Sequence, residues 1–127
     1  MTTHTQLLHA AVHCDTLEHA HTFFLDILGL KEIKTFSLDE TLSYTIFSIK
    51  QHVDIRVFGN DSMQIEVFIH PYASTPSYNH LCLRISNKSD FIKRCEEYGL
   101  MPYTVQKGEN QLLFVRDFSG NLYEIKE

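Results

Sequence analysis

The chain has few basic residues, few cysteines and no long apolar run, and each shortage closes off a class of function. Lysine and arginine number 11 against 16 aspartates and glutamates, for a formal net charge of −5. Binding to nucleic acid or to a membrane surface usually rests on a basic patch, so neither partner is expected. The apolar runs fall far short of the roughly 20 residues that a membrane-spanning helix needs. No basic stretch followed by an apolar segment opens the sequence, so no secretory signal is expected. The three cysteines, Cys14, Cys82 and Cys95, are odd in number and form no C-x-x-C pair. That spacing fits neither a zinc ribbon nor a disulfide scaffold, and agrees with reduced thiols in a cytoplasmic protein.

What the chain does have is enough material for one domain: 127 residues, 43% of them hydrophobic. It also has eight histidines, many for this length. A third feature is the stretch "MQIEVFIHPY", residues 63–72, which places Glu66 inside an apolar strand pattern. Ile65, Val67 and Ile69 alternate on one face, and Gln64, Glu66, Phe68 and His70 take the other. A buried carboxylate is costly unless it is paired or protonated. The ordinary explanation is that its face meets water.

An internal repeat gives Glu66 company. Residues 9–30 read "HAAVHCDTLEHAHTFFLDILGL" and residues 80–100 read "HLCLRISNKSDFIKRCEEYGL". Each begins with a histidine in an apolar strand (7–14, and 81–85 after His80), crosses a polar turn and enters an amphipathic helix. Each helix stops at Gly-Leu, as a left-handed glycine cap allows. Leu17, Ala20, Phe24 and Ile27 or Leu28 are the expected core positions of the first helix, and Phe91, Ile92, Cys95 and Tyr98 those of the second. Each half closes on a strand carrying a glutamate, Glu66 in "SMQIEVFI" and Glu124 in "SGNLYEIKE", after a turn-forming cluster. Two further strands fit between helix and last strand: 31–36 and 52–58 in the first half, 101–107 and 111–116 in the second. The expected organisation is α+β, a βαβββ unit used twice: module one over about 6–70, a linker over about 71–78, and module two over about 79–127. The first half has room for one more helix in "SLDETLSYTIFSI", with Ser37 and Glu40 as a capping box.

His9, Glu66, His80 and Glu124 thus occupy equivalent places. Singly, each has an ordinary explanation as a surface histidine or a solvated acid. Together, with first and last strands as neighbours, two imidazoles and two carboxylates suit a divalent transition metal with positions left for water or substrate. Such a cation would supply the counter-charge for Glu66. Cys82 shares a face with His80, and His19 and His21 are expected to be exposed on the first helix. Phe47, Phe58, Phe68, Tyr72 and Tyr123 are candidate pocket walls that core packing explains as well.

These motifs resemble the vicinal oxygen chelate superfamily, the fold of glyoxalase I, bleomycin-resistance proteins and extradiol dioxygenases. The resemblance lies in "LLHAAVH…TLEHAHTFFLDILGLK", "QIEVF", "NHLCLRI" and the closing "RDFSGNLYEI", spread over about residues 6–126. It implies a single domain whose two βαβββ modules form an open, cupped mixed sheet around one divalent metal: Ni, Zn, Co, Mn or Fe. It implies His9, Glu66, His80 and Glu124 as ligands, a set similar to that of bacterial glyoxalase I, and a homodimer with sites at the interface. The implied activity is that of a lyase or isomerase acting on a small oxygen-chelating substrate, such as the thiol hemithioacetal of a 2-oxoaldehyde, with Glu124 as base and Glu66 as its counterpart. Fosfomycin-type thiol transfer, dioxygenation and metal-free sequestration of a drug or metabolite are the alternatives. Two positions depart from glyoxalase I: His13 stands where the family carries an Arg that holds a glutathione carboxylate, and His70 where it carries Asn. The stretch between Gly99 and Asp117 is also short. The resemblance therefore implies a retained metal site with altered recognition, in which His13, His70 and Arg84 are the candidate substrate contacts.

Overall fold

The computed structural model describes residues 8–71 and 80–127, apart from the side chain of Phe47. Module one comprises β1 (Ala10–Cys14), α1 (Leu17–Ala20), a π-helix that continues α1 (His21–Ile27), β2 (Lys31–Leu38), α2 (Glu40–Phe47), β3 (Val53–Gly59) and β4 (Gln64–Ile69). Module two comprises β5 (Leu81–Arg84), α3 (Lys88–Glu97), β6 (Tyr103–Lys107), β7 (Asn110–Arg116) and β8 (Leu122–Lys126). The strand orders are β1-β4-β3-β2 and β5-β8-β7-β6, so the two halves share one topology. In each, the first and last strands are parallel neighbours and the other pairings are antiparallel.

Strand alternation divides each sheet into a core face and an outer face. Val12, Cys14, Ile65 and Val67 of the first sheet join Leu83, Leu113, Val115, Tyr123 and Ile125 of the second in one cluster. The helices fill the space between them with Phe23, Phe24, Ile27, Phe91 and Cys95, and the Phe23 and Tyr123 rings lie 5.0 Å apart. Burying each such aromatic contributes about 2–3 kcal/mol. A smaller cluster of Leu38, Val53, Ile55 and Phe68, with Phe36 and Ile49 against it, lies on the outer face of the first sheet.

Polar contacts fasten the modules together. Asp117, buried in the "DFSGN" turn, accepts from the Ser119 and Asn121 amides and from the Asn121 Nδ2 and Tyr123 hydroxyl groups. The turn so held reaches β1: Asn121 Nδ2 donates to the His13 carbonyl at 2.9 Å, and Ser119 Oγ accepts from the Asp15 amide at 3.1 Å. Arg94 Nε donates to the Ile27 carbonyl at 3.0 Å.

Several expectations need correcting. The extra helix exists, but its N-cap is Asp39, whose carboxylate accepts from the Leu42 amide at 2.8 Å; Ser37 belongs to β2 and bonds Asp54. Tyr98 at the end of α3 is exposed instead of packed. Phe58 and Tyr123 are fully buried core residues. Residues 72–78 of the expected linker, with Tyr72, and the start of the first expected strand at Leu7 lie outside the described residues.

Candidate functional site

The parallel pairing of β1 with β4 sets Ala11 opposite Glu66. One pleat earlier, His9 falls on the same outer face, with its Nε2 3.6 Å from Glu66 Oε1. The pairing of β5 with β8 repeats the arrangement: Cys82 stands opposite Glu124, and His80 Nε2 lies 3.8 Å from Glu124 Oε1. Each glutamate sits deeper than its histidine, at 20% and 15% side-chain exposure against 46% and 38%. The carboxylates are thus walled by the sheets while the imidazoles remain reachable.

The two pairs differ in their surroundings. Glu124 Oε2 lies 3.7 Å from Lys126 Nζ and accepts from the Cys82 thiol at 3.7 Å, which leaves Oε1 toward His80. Burial and the neighbouring Glu124 push the Cys82 thiol up. Phe114, opposite Glu124 on β7, meets the His80 ring edge-on at 6.4 Å, and Tyr103 stacks on Phe114 at 5.7 Å. Neither aromatic was among the expected pocket residues. The available signal was their place on the strands beside Glu124, at positions of the same alternation.

Both pairs point away from the shared core, on the outer faces of their sheets. A cavity of about 260 Å³ marks the seam between β1 and β5, with His9 on one wall and Cys82 on the other. Among the described residues, no group of three or more His, Cys, Asp or Glu side chains lies close enough to hold a metal ion. One chain therefore offers two separate two-donor sets, and the common point toward which all four residues were expected to aim is not formed within it. Each set has the chemistry of a half-site, one neutral nitrogen donor beside one carboxylate.

Of the other singled-out residues, His13 and His70 lie together on the outer face of the first sheet, their ring centroids 4.0 Å apart. Arg84 is exposed on the face of His80, paired in register with Lys126. His19 and His21 are half-buried, against expectation, because each has an acidic partner. His19 Nδ1 lies 2.7 Å from Asp15 with its ring stacked on Phe118, and His21 Nε2 lies 3.0 Å from Glu32. Arg56, then His21 and Thr35, hold Glu32 below the usual carboxylate range against the opposing effect of burial. His52 bonds Asp54 at 3.1 Å, and His4 lies outside the described residues.

No protein-family model matches the chain, and no curated protein matches it in sequence. Solved structures do match in shape. A glyoxalase family protein from Bacillus cereus superposes with a TM-score of 0.75 at 16% identity, over 98% of this chain and 94% of that one. The fosfomycin resistance protein FosX from Listeria monocytogenes, as a mutant complexed with Mn(II) and 1S,2S-dihydroxypropylphosphonic acid, gives 0.72 at 18% identity, over 98% and 93%. The trypanothione-dependent glyoxalase I of Leishmania major gives 0.73 at 14% identity, over 98% and 87%. At these identities the likeness establishes the fold: the chain has the two-module α+β architecture of glyoxalase-family proteins.

Proposed function

We propose that the chain is a divalent-metal enzyme of the vicinal oxygen chelate superfamily, working as a homodimer in which module one of each chain faces module two of the other. The observation that carries this reading is the duplicated pair, His9–Glu66 and His80–Glu124, at 3.6 and 3.8 Å on equivalent faces. Two such half-sites brought together supply two imidazoles and two carboxylates, and a second copy supplies the missing half of each. The fold shared with glyoxalase-family proteins and FosX supports the reading.

A divalent ion bound there supplies Lewis acidity toward the vicinal oxygens of a substrate. His9 and His80 contribute neutral nitrogen donors from the outer faces of β1 and β5. Glu124 is the base that moves a proton between adjacent substrate carbons, and Glu66 is its counterpart. Lys126 and Cys82 keep one Glu124 oxygen occupied, so its proton chemistry falls to the oxygen facing His80. Phe114 and Tyr103 form an apolar wall on that side. The reaction is isomerisation or lysis of a glyoxalase type on a hemithioacetal-like substrate. The second reading is fosfomycin-type chemistry, favoured by the likeness to FosX.

Purified full-length protein titrated with Ni, Co, Zn and Mn should bind one ion per chain, and Glu66→Gln and His80→Ala should each weaken binding at least about tenfold. Unchanged binding in both variants, or no binding at all, would sink the metalloenzyme reading and leave sequestration. Turnover of methylglyoxal with a thiol panel, against turnover of fosfomycin, then separates the two readings.

A further inference from the structure

The three cysteines sit in two different surroundings. Cys14 and Cys95 are buried in the core, the ordinary place for a free thiol, whereas Cys82 is exposed. Cys82 belongs to neither apolar cluster, so packing does not account for a sulfur there. It lies on the outer face of β5, two residues after His80 and in register with Glu124 of β8. Its thiol donates to Glu124 Oε2 at 3.7 Å, while His80 Nε2 lies 3.8 Å from Oε1. One carboxylate is thus bracketed by an imidazole on one oxygen and a thiol on the other.

The duplication shows that this sulfur is an addition. Ala11 stands opposite Glu66 as Cys82 stands opposite Glu124, so both modules present nitrogen and oxygen and only module two adds sulfur. Cys82 also lines the seam cavity of about 260 Å³ across from His9, and its exposure leaves it open to an ion from solvent. His80, Cys82 and Glu124 flank one another here without gathering about one point. The thiol is turned instead to Glu124 Oε2.

We propose that Cys82 is a third donor of the module-two half-site, giving the metal centre a sulfur ligand and a preference for thiophilic ions, a role that rests on the metalloenzyme reading. The metal takes the thiolate. As the metal–sulfur bond forms, the Cys82–Glu124 hydrogen bond breaks and the thiol proton passes to solvent. Lys126 then keeps Glu124 Oε2 occupied by itself. Sulfur added to imidazole and carboxylate favours Zn, Co and Ni, whereas Mn, which suits oxygen donors, gains little from it.

The test titrates full-length protein, in buffer without added thiol, with Co(II) and follows the absorption spectrum. A sulfur ligand gives an intense charge-transfer band in the near ultraviolet that nitrogen and oxygen donors lack. The band should appear in the unaltered protein and vanish in two variants. Cys82→Ala copies the residue of module one; Cys82→Ser keeps a hydrogen-bond donor for Glu124 and removes only the sulfur. Both should lose at least about tenfold in Zn affinity and keep their Mn affinity. Glu66→Gln, in the other module, should weaken the ion but retain the band at saturating Co(II). Co(II) bound without the band, a band that survives in both variants, or equal losses for Zn and Mn would overturn the proposal and leave the metalloenzyme reading standing. Full Zn affinity in Cys82→Ser would also overturn it, by showing that the thiol only positions Glu124. Binding of no ion at all refutes both.

Discussion

Asp117 shows how opposite effects meet in one residue. Burial pushes its carboxyl up, while the Asn121 and Ser119 amides, the Asn121 side chain and the Tyr123 hydroxyl push it down, and burial prevails. Asp117→Asn removes the buried charge but turns an amide N–H₂ toward donors on one side. Loss of two hydrogen bonds and a donor–donor contact should lower stability by about 2–3 kcal/mol in urea unfolding despite the relief of burial. Gly59 is the second such position: a Cβ there would meet the Met63 carbonyl oxygen and lie 2.8 Å from Ile33 Cδ1. Gly59→Ala should cost about 3 kcal/mol by the same measurement, because backbone must move. The acid response follows from His70, Asp15, Glu32 and Asp54, all held below their ordinary values. Their stabilising contribution is full above the unfolded values, about 6.5 for His and 4 for the acids, and is lost as pH falls through the lower folded ones. Asp117, raised, acts in the opposite sense. Melting temperature should therefore decline from pH 7 toward pH 5, and decline less in His70→Gln. The two His–Glu pairs were legible at this scale because strand alternation and duplication both register in the order of residues. The contacts of Lys126 and Cys82 with Glu124, and the tilted contact of the His13 and His70 rings, depend on side-chain rotamers, which leave no periodicity to read.

At the level of elements, the helix between β2 and β3 shows where a correct inference can rest on a wrong detail. Ser37-x-x-Glu40 has the spacing of a capping box, but β2 runs on through Leu38, because Ser37 pairs with Asp54 and Leu38 with Val53. Asp39, one residue later, takes the cap. Asp39→Ala should destabilise the protein by about 1 kcal/mol in thermal unfolding, while Ser37→Ala should leave α2 capped. The π-helix His21–Ile27 was not legible at all, since the apolar positions of this stretch fit ordinary helical spacing. Its signature is the hydrogen bond from the Leu28 amide to the Phe23 carbonyl, five residues back. The strand ends at Cys14, Lys31, Leu81, Lys107 and Arg116 fall where the sequence pattern puts them, and others differ by one to three residues, as expected where polar residues both finish a strand and begin a turn.

For the whole molecule, the sequence pointed to the duplicated βαβββ plan but not to which faces of the two modules meet. Phe23, Phe24 and Tyr123 decide that: they fill one core between the sheets and leave both His–Glu pairs outside it. Phe23→Ala should loosen both modules at once, costing about 3–5 kcal/mol in a single cooperative transition. If two chains complete each site, metal affinity should also fall when the protein is diluted below its dimer dissociation constant, as equilibrium dialysis at several protein concentrations would show.

The outward placement of the two pairs has a consequence that belongs to genetics. In the proposed homodimer, a chain bearing Glu66→Gln spoils module one and a chain bearing Glu124→Gln spoils module two, so neither variant forms an intact site by itself. In a mixed dimer the two lesions fall together in one site and leave the other whole. Co-expression of the two defective alleles should restore activity to about one quarter of the wild-type level, since about half the dimers are mixed and each has one of its two sites working. Failure to complement would mean that each chain closes its site alone.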